Sequence, residues 1–476
     1  MFLASILEFA GAVGVGNRVA ETIRTRVVDL DRYQETPAVL MLGMACAITA
    51  SSLYLTVCTK IGLPVSTTHT IMGGIIGMGV ATVGTDGVIW ADFSNGINGG
   101  VAQVFLGWII APAIAGALGA ITFLITKYAV MIRHSPVLKG LISVPLYAGV
   151  TGALIVMLLV WKGGSISPDL NGAELAGVIV GGGAAVSALV AIFFVPWLYR
   201  LIVKDDWQLR WYHIIQGPLL LRRPEPPVQP EGYSGGIRDF YEGHLDKEAL
   251  AAVRAERAER THEAADRGEP LAVDAERAET SGSDSDSGKK PGSDGKAGFV
   301  GPKPEGPFYS RPVLFWYFKW FFLRGVDQDI VGQQSRKSRL AKNIEDVHAH
   351  GQHFENKAEY LYSFLQVMTA SAMSFAHGAN DVANAVGPLA TIYEIWRTNK
   401  ADGSSPVPIW ILVFGGAALA IGCWTYGYHI MRNLGNRLTL HSPSRGFSME
   451  LGTVCTVIIA TQLRKYSGFS VPMNSY

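Results

Sequence analysis

Four polar side chains interrupt the apolar run SAMSFAHGANDVANAVGPLATIYEIW at residues 371–396: His377, Asn380, Asp381 and Asn384. Gly378, Gly387 and Pro388 stand among them. Removing a carboxylate from water is costly, so an aspartate at bilayer depth marks a functional site by default. Glycine and proline beside it predict a helix that breaks mid-membrane and frees backbone groups for ions or anions. A buried soluble helix with one satisfied aspartate is the plainer reading, and the membrane character of nearly all the flanking sequence argues against it. His377 and Asp381 are spaced i,i+4 and could share a metal, but two ligands are too few.

Two further stretches carry polar groups in apolar surroundings. GLPVSTTHTIMGGIIGMGVA at 62–81 has Pro64 placed for the first turn of a helix, followed by Ser66, Thr67 and Thr68. Their hydroxyls, the unbonded N–H groups of that turn and the positive end of the helix dipole make a ready anion site. An ordinary N-cap with polar decoration accounts for the same residues. Glu8 lies in the middle of FLASILEFAGAVGVG at 2–16, a run short for a full span of about 20 residues. A carboxylate there faces a cavity or a partner, unless it snorkels from a frayed terminus.

The elements that must hold these groups are membrane helices. Hydrophobic residues make up 49% of the chain, 54 of its 476 residues are glycine, and mean hydropathy is +0.23. Charge is 17% of the chain but is concentrated in one central block, leaving both flanks almost free of it. Glycine this frequent in apolar runs suits helix packing in lipid, where close backbone approach supplies contact energy. Spans are predicted over 37–59, 100–126, 142–161 and 173–203, from 361 into the aspartate stretch, over 408–430, and over 449–463, which opens with Glu450. The fold class is therefore an all-α polytopic membrane protein. A net charge of +1 gives no case for nucleic acid. Cys46, Cys58, Cys423 and Cys455 lie in apolar runs without metal spacing and read as small hydrophobes.

Residues 205–360 are a different material. The basic, aromatic stretch 207–224 is expected on the membrane surface, and 246–269 as a charged, solvated helix. Low-complexity residues 280–298 cannot bury enough apolar surface to order themselves. RPVLFWYFKWFFLRG at 311–325 has the composition of a membrane interface. Placing this block in the cytoplasm puts loops 127–141 inside and 82–99 and 162–172 outside, in agreement with their lysines and arginines. The arginines of loop 17–36 leave its side open.

GANDVANAVGP (378–388), GLPVSTTH (62–69) and LHSPSRGFSMELG (440–452) together resemble the inorganic phosphate transporter family of cation-coupled symporters. SILEFAGA (5–12) and YGYHIMRNLGNR (426–437) are similar to it as well, and KAEYLYSFLQVMTA (357–370) with the long central loop resembles its fungal members. The resemblance implies an inverted-repeat transporter with discontinuous helices and a re-entrant hairpin, not an enzyme, in the plasma membrane. It divides the chain into an N-terminal transmembrane repeat at 1–204, a largely disordered cytoplasmic loop with interfacial helices at 205–360, and a C-terminal repeat at 361–476. It also places loop 17–36 outside. Each repeat of the family carries one GANDVAN-type break and one PVST-type hairpin. Here a first GANDVAN copy before SILEF and a second PVST copy after IIATQL are not found, which reads as a chain truncated at both ends, or a shortened paralogue.

The implied activity is symport of inorganic phosphate with sodium or a proton across the bilayer, with no cofactor and no metal beyond the coupling cation. Ser66, Thr67 and Thr68 are the expected phosphate donors, since hydroxyls and helix N-termini bind an anion without burying fixed cations. Asp381, with the amide oxygens of Asn380 and Asn384 and freed carbonyls, is the expected cation site. Its charge repels phosphate until cations neutralise it. Glu8 and Glu450 resemble the family's pair of membrane glutamates. The missing half-sites lead to the expectation that the chain itself is inactive, and to an alternative: a non-transporting regulatory or sensor protein retaining the fold. A channel is a third reading, and assembly as a homodimer is left open.

Overall fold

The computed structural model of the chain describes residues 2–17, 20, 27–61, 63, 65–91, 100–162, 170–228, 237, 239–241, 246–266, 301–322, 349–401, 406–427 and 441–467. These fall into two compact units, one of Met1–Phe240, Phe354–Met431 and His441–Tyr476, the other of Tyr241–His353 and Arg432–Leu440. The low-complexity stretch 280–298, Pro64 and most of YGYHIMRNLGNR lie outside the described residues.

The first unit is helical. It runs through α1 (Phe2–Val15), α2 (Pro37–Ile61), α3 (Thr67–Val83), α4 (Gly100–Thr126, continued by a π-turn at Lys127–Met131), α5 (Pro136–Lys162) and α6 (Gly172–Leu189). Past α6 come two π-turns around a short α-turn, then a 3-10 helix at Trp211–Arg222 that is kinked in its middle at Gly217, where φ is 51°. Among the described residues there is no strand, only an isolated bridge between Val28 and Val88. Pro37–Ile61, Gly100–Met131, Pro136–Val160 and Gly172–Val203 are long and apolar enough to cross a membrane, which matches the four spans predicted before residue 204. The second unit contributes α7 (Lys247–Asp266), rich in charge, and α8 (Arg311–Phe322), the aromatic segment.

The first unit closes with α9 (Asn356–Thr398), α10 (Ile409–Gly422, continued by a π-turn at Cys423–Gly427) and α11 (Pro443–Ser467). Helix α9 is its axis. It has 43 residues, roughly 65 Å at 1.5 Å per residue, and takes part in all three apolar clusters. Leu361 and Leu365 pack with α5 and α11, Ala372 and Ala376 pack with α5 and α11 further along, and Val382, Val386 and Ala390 pack with α1, α2 and α3. Asn399, in the left-handed conformation, ends it by donating its N–H to the Ile395 carbonyl.

The interruption expected at 378–388 is not a break. The motif lies inside α9, and the helix continues ten residues past Pro388 to Thr398. The residues around it are mostly alanine and valine packed on three sides, and the Asn380 amide bonds back to the Ala376 carbonyl within the helix at 2.7 Å. Pro388 removes one N–H, so the only carbonyl it releases is that of Asn384, one turn earlier. Neighbouring helices make such a proline tolerable in a membrane helix. The discontinuity that does occur lies between α2 and α3, just before the PVSTT hydroxyls.

Candidate functional site

Helices α1 and α9 cross without side chains between them. A Cβ at Gly378 would collide with the backbone of Glu8, and one at Gly11 with the carbonyl of Phe375. This reciprocal contact fixes Glu8 beside the motif, as close packing of small residues does in lipid. Glu8 is buried, and both its carboxylate oxygens meet Nδ1 of His377, at 2.9 and 3.0 Å. The other ring nitrogen, Nε2, lies 2.5 Å from Asp381 Oδ2, one helical turn on. An ionised carboxylate only accepts, so with both acids ionised both ring nitrogens must donate and the ring is imidazolium. A neutral ring requires a proton on one of the two acids. Either way the three groups together carry one net negative charge.

The second oxygen of Asp381 leads into the PVSTT segment. Thr67 donates its hydroxyl to Asp381 Oδ1 at 3.2 Å. The Asn384 amide nitrogen donates to three oxygens, each at 3.1 Å: Asp381 Oδ1, Thr67 Oγ1 and Thr68 Oγ1. The hydroxyls expected to bind an anion and the motif expected to bind a cation thus form one cluster, with Glu8 and His377 at its far end. Thr68 and Asn384 are buried within it.

The remaining predicted residues sit apart. Ser66 is the N-cap of α3, in extended conformation, its hydroxyl accepting from the His69 N–H at 3.4 Å. Asn380 turns its amide nitrogen into its own helix. Glu450, on α11, accepts from Thr369 at 2.6 Å, and Gln366 bonds it too. Thr369 precedes His377 by about two turns of α9, so both membrane glutamates rest on the same helix. Helix α11 is held there by Glu359, whose buried carboxylate accepts from both the N–H and the hydroxyl of Ser444 at 2.8 Å. That contact caps the first turn of α11 in trans, satisfying donors that an apolar environment would otherwise leave unpaired.

Sequence comparison identifies the family. A model of the family described as "Phosphate transporter family" matches residues 1–472. The chain belongs to that family. It is 54% identical to the phosphate-repressible phosphate permease pho-4 of Neurospora crassa, over 98% of this chain and 81% of the relative. To the human sodium-dependent phosphate transporter 2 it is 24% identical, over 97% of this chain and 83% of the relative. A solved structure titled "The sodium-dependent phosphate transporter" shares the fold, with a TM-score of 0.50 at 20% identity, covering this whole chain and 76% of the other. As a member of the phosphate transporter family the chain is a multi-pass membrane protein that carries phosphate. The expectation of a chain truncated at both ends is not borne out by the family match.

His377 is the residue whose role sequence reasoning missed. Its i,i+4 spacing from Asp381 was visible, but its other partner, Glu8, is 369 positions away in the opposite apolar block. Thr369 and Gln366 carried no signal at all, since their role depends on where α11 packs.

Proposed function

We propose that the chain is a sodium-coupled symporter of inorganic phosphate in the plasma membrane, with its cation site at Asp381, Asn384, Thr67 and Thr68. The observation that carries this reading is the convergence of three oxygens on the single amide nitrogen of Asn384. Rotation of that amide would present the same three oxygens, the amide oxygen and the carbonyl released by Pro388 to a cation instead of to N–H. Hard oxygen ligands, one of them charged, are what a hard cation needs. Asn380 supports the cluster from within α9. The vertebrate relatives are named for sodium dependence, which favours sodium as the ion.

Phosphate would bind at the start of α3, on the N–H groups of its first turn and the hydroxyls of Thr67 and Thr68, with Ser66 capping the helix. Thr67 and Thr68 belong to both sites, so a cation at Asp381 would remove the repulsion and release the hydroxyls for phosphate in one event. That is a physical route to coupling. All these side chains come from one chain, so the site needs no homodimer.

One observation favours a second reading, coupling to protons: the His377 ring joins two carboxylates and could pass a proton between them. Glu450 would then serve as a further protonatable group. Purified full-length chain in sealed vesicles, given labelled phosphate under an inward sodium gradient, a proton gradient or neither, separates the readings. Accumulation driven by sodium is expected. Accumulation driven only by protons selects the second reading. Equilibration without accumulation would indicate a channel, and no uptake under any condition would leave a regulatory or sensor role.

A further inference from the structure

The most exposed of the four long spans, Gly172–Val203, does not finish as an α-helix. π-turns at Val190–Phe194 and Tyr199–Val203 flank a single α-turn at Val195–Leu198. Against the first π-turn lies an open-sided cavity of about 360 Å3, between α5, α9 and the 3-10 segment at Trp211–Arg222. Val144, Ala148, Phe193, Ile214, Phe364 and Met368 are among its walls, and every residue lining it is apolar. The volume falls in the class of small-molecule sites, roughly 300–1,000 Å3. An all-apolar lining offers water no hydrogen-bond partner, so an apolar occupant suits it. Among membrane spans the apolar molecule at hand is a lipid acyl chain.

The 3-10 helix supplies the second observation. It docks on the π-turn through Gly217, where a Cβ would press on the Phe193 ring, and it leaves Trp211, Tyr212, Ile215, Leu219 and Leu221 exposed. Aromatic and aliphatic side chains displayed this way suit the headgroup boundary of a bilayer. Its charges are not random. Arg200 and Arg223 both meet the buried Asp206, Lys357 meets Asp205, and Lys204 meets Glu225 at 2.8 Å. The Lys204 hydrogen bond holds the Glu225 carboxyl below its ordinary range, so that pair is neutral overall. Arg210 and Arg222, at the two ends of the helix, are exposed, and among the described residues neither has an ion pair. Arg200 and Arg223 share the single Asp206, so one positive charge left on that triad adds to those of Arg210 and Arg222, on and beside the element that carries Ile214 into the cavity wall.

We propose that this cavity binds one acyl chain of an anionic glycerophospholipid, with Arg210 and Arg222 holding its headgroup. Basic residues at such a boundary attract anionic lipid and discriminate against zwitterionic lipid. Phe364, Leu365 and Met368 belong to α9, and the next residue, Thr369, is the partner of Glu450. A seated chain would thus brace α9 within one residue of the hydroxyl that holds a membrane carboxylate.

The test is lipid retention by the purified full-length chain, followed by native mass spectrometry with dioleoyl phosphatidylserine or dioleoyl phosphatidylcholine added back. One phosphatidylserine is expected to remain bound at activation energies that strip phosphatidylcholine. Arg210→Ala with Arg222→Ala should weaken phosphatidylserine retention roughly thirtyfold and erase its advantage over phosphatidylcholine. Ala148→Phe, which fills the cavity from α5, should reduce retention of both lipids. Because that variant could disturb packing, Met368→Trp provides a second filling from α9. Equal retention of the two lipids by the unmodified chain overturns the proposal, as does undiminished phosphatidylserine retention in the arginine variant or in both filled variants. The readout is binding, so it stands whether or not phosphate uptake is sodium-driven.

Discussion

The two membrane glutamates, on α1 and α11, meet the same helix, α9, in different company. Glu8 is pressed against α9 by two glycines and joins a chain of groups, His377, Asp381, Asn384, Thr67 and Thr68, drawn from three helices. Glu450 meets the Thr369 hydroxyl and Gln366, both on α9. One carboxylate is part of a charged relay, whereas the other is held by neutral groups. The difference is one of placement: backbone contact sets a titratable ring against Glu8, whereas Glu450 meets only neutral groups. A hydroxyl alone serves a carboxyl in either protonation state. On this account the Glu8 end carries the ion, and the Glu450 end positions and tunes α9.

The strongest way to break the comparison is at Asp381. Asp381→Asn keeps the shape but removes the charge shared by His377 and the Thr67 cluster. Losing one partner of a buried charged pair costs about 3 kcal/mol, a factor of roughly 100. Cation-coupled uptake should fall at least that far, with membrane insertion unchanged on a surface-labelling assay. Next comes Glu8→Gln, which leaves a hydrogen bond to His377 but not the charge. Hydrogen bonds to charged groups contribute about 1.5–3 kcal/mol, so the apparent cation affinity should drop tenfold or more while maximal uptake falls less. A loss of maximal uptake with unaltered cation affinity would place Glu8 outside the ion path.

Much of this was legible in the sequence. The four spans before residue 204, the aspartate motif, the PVSTT hydroxyls and the place of Glu8 in an apolar helix all follow from residue types and spacing. Two features did not. The glycines and proline of 378–388 predicted a broken helix, but alanines at 376, 379, 383 and 390, packed against three neighbours, keep α9 whole. Local breaking signals lose to tertiary packing there. The bond between Glu8 and His377 was also unreadable, because it depends on the crossing of two helices from opposite ends of the chain. What the sequence did carry was Gly11 and Gly378, the small residues that permit the crossing, without saying that they meet each other.

Smaller changes sharpen the contrast. Thr369→Val removes the hydroxyl from Glu450, and interhelical hydrogen bonds in membranes average about 0.6 kcal/mol. A shift of roughly threefold in uptake is expected, far below that of Glu8→Gln. Equal effects at the two positions would dissolve the distinction between relay and brace. Ser66→Ala should have the least effect on transport. Its hydroxyl caps α3, so the variant should lose about 1 kcal/mol of stability in a thermal unfolding assay with phosphate affinity changed by less than about threefold. A larger loss of phosphate affinity would make Ser66 a ligand as well as a cap.

The central claim, that Asp381, Asn384, Thr67 and Thr68 form the coupling-ion site, is tested most directly by binding of radioactive sodium to the purified full-length chain, before any transport step. The account predicts saturable binding that is lost in Asp381→Asn, weakened in Thr67→Val and retained in Thr369→Val. Saturable sodium binding that survives Asp381→Asn unchanged would contradict it.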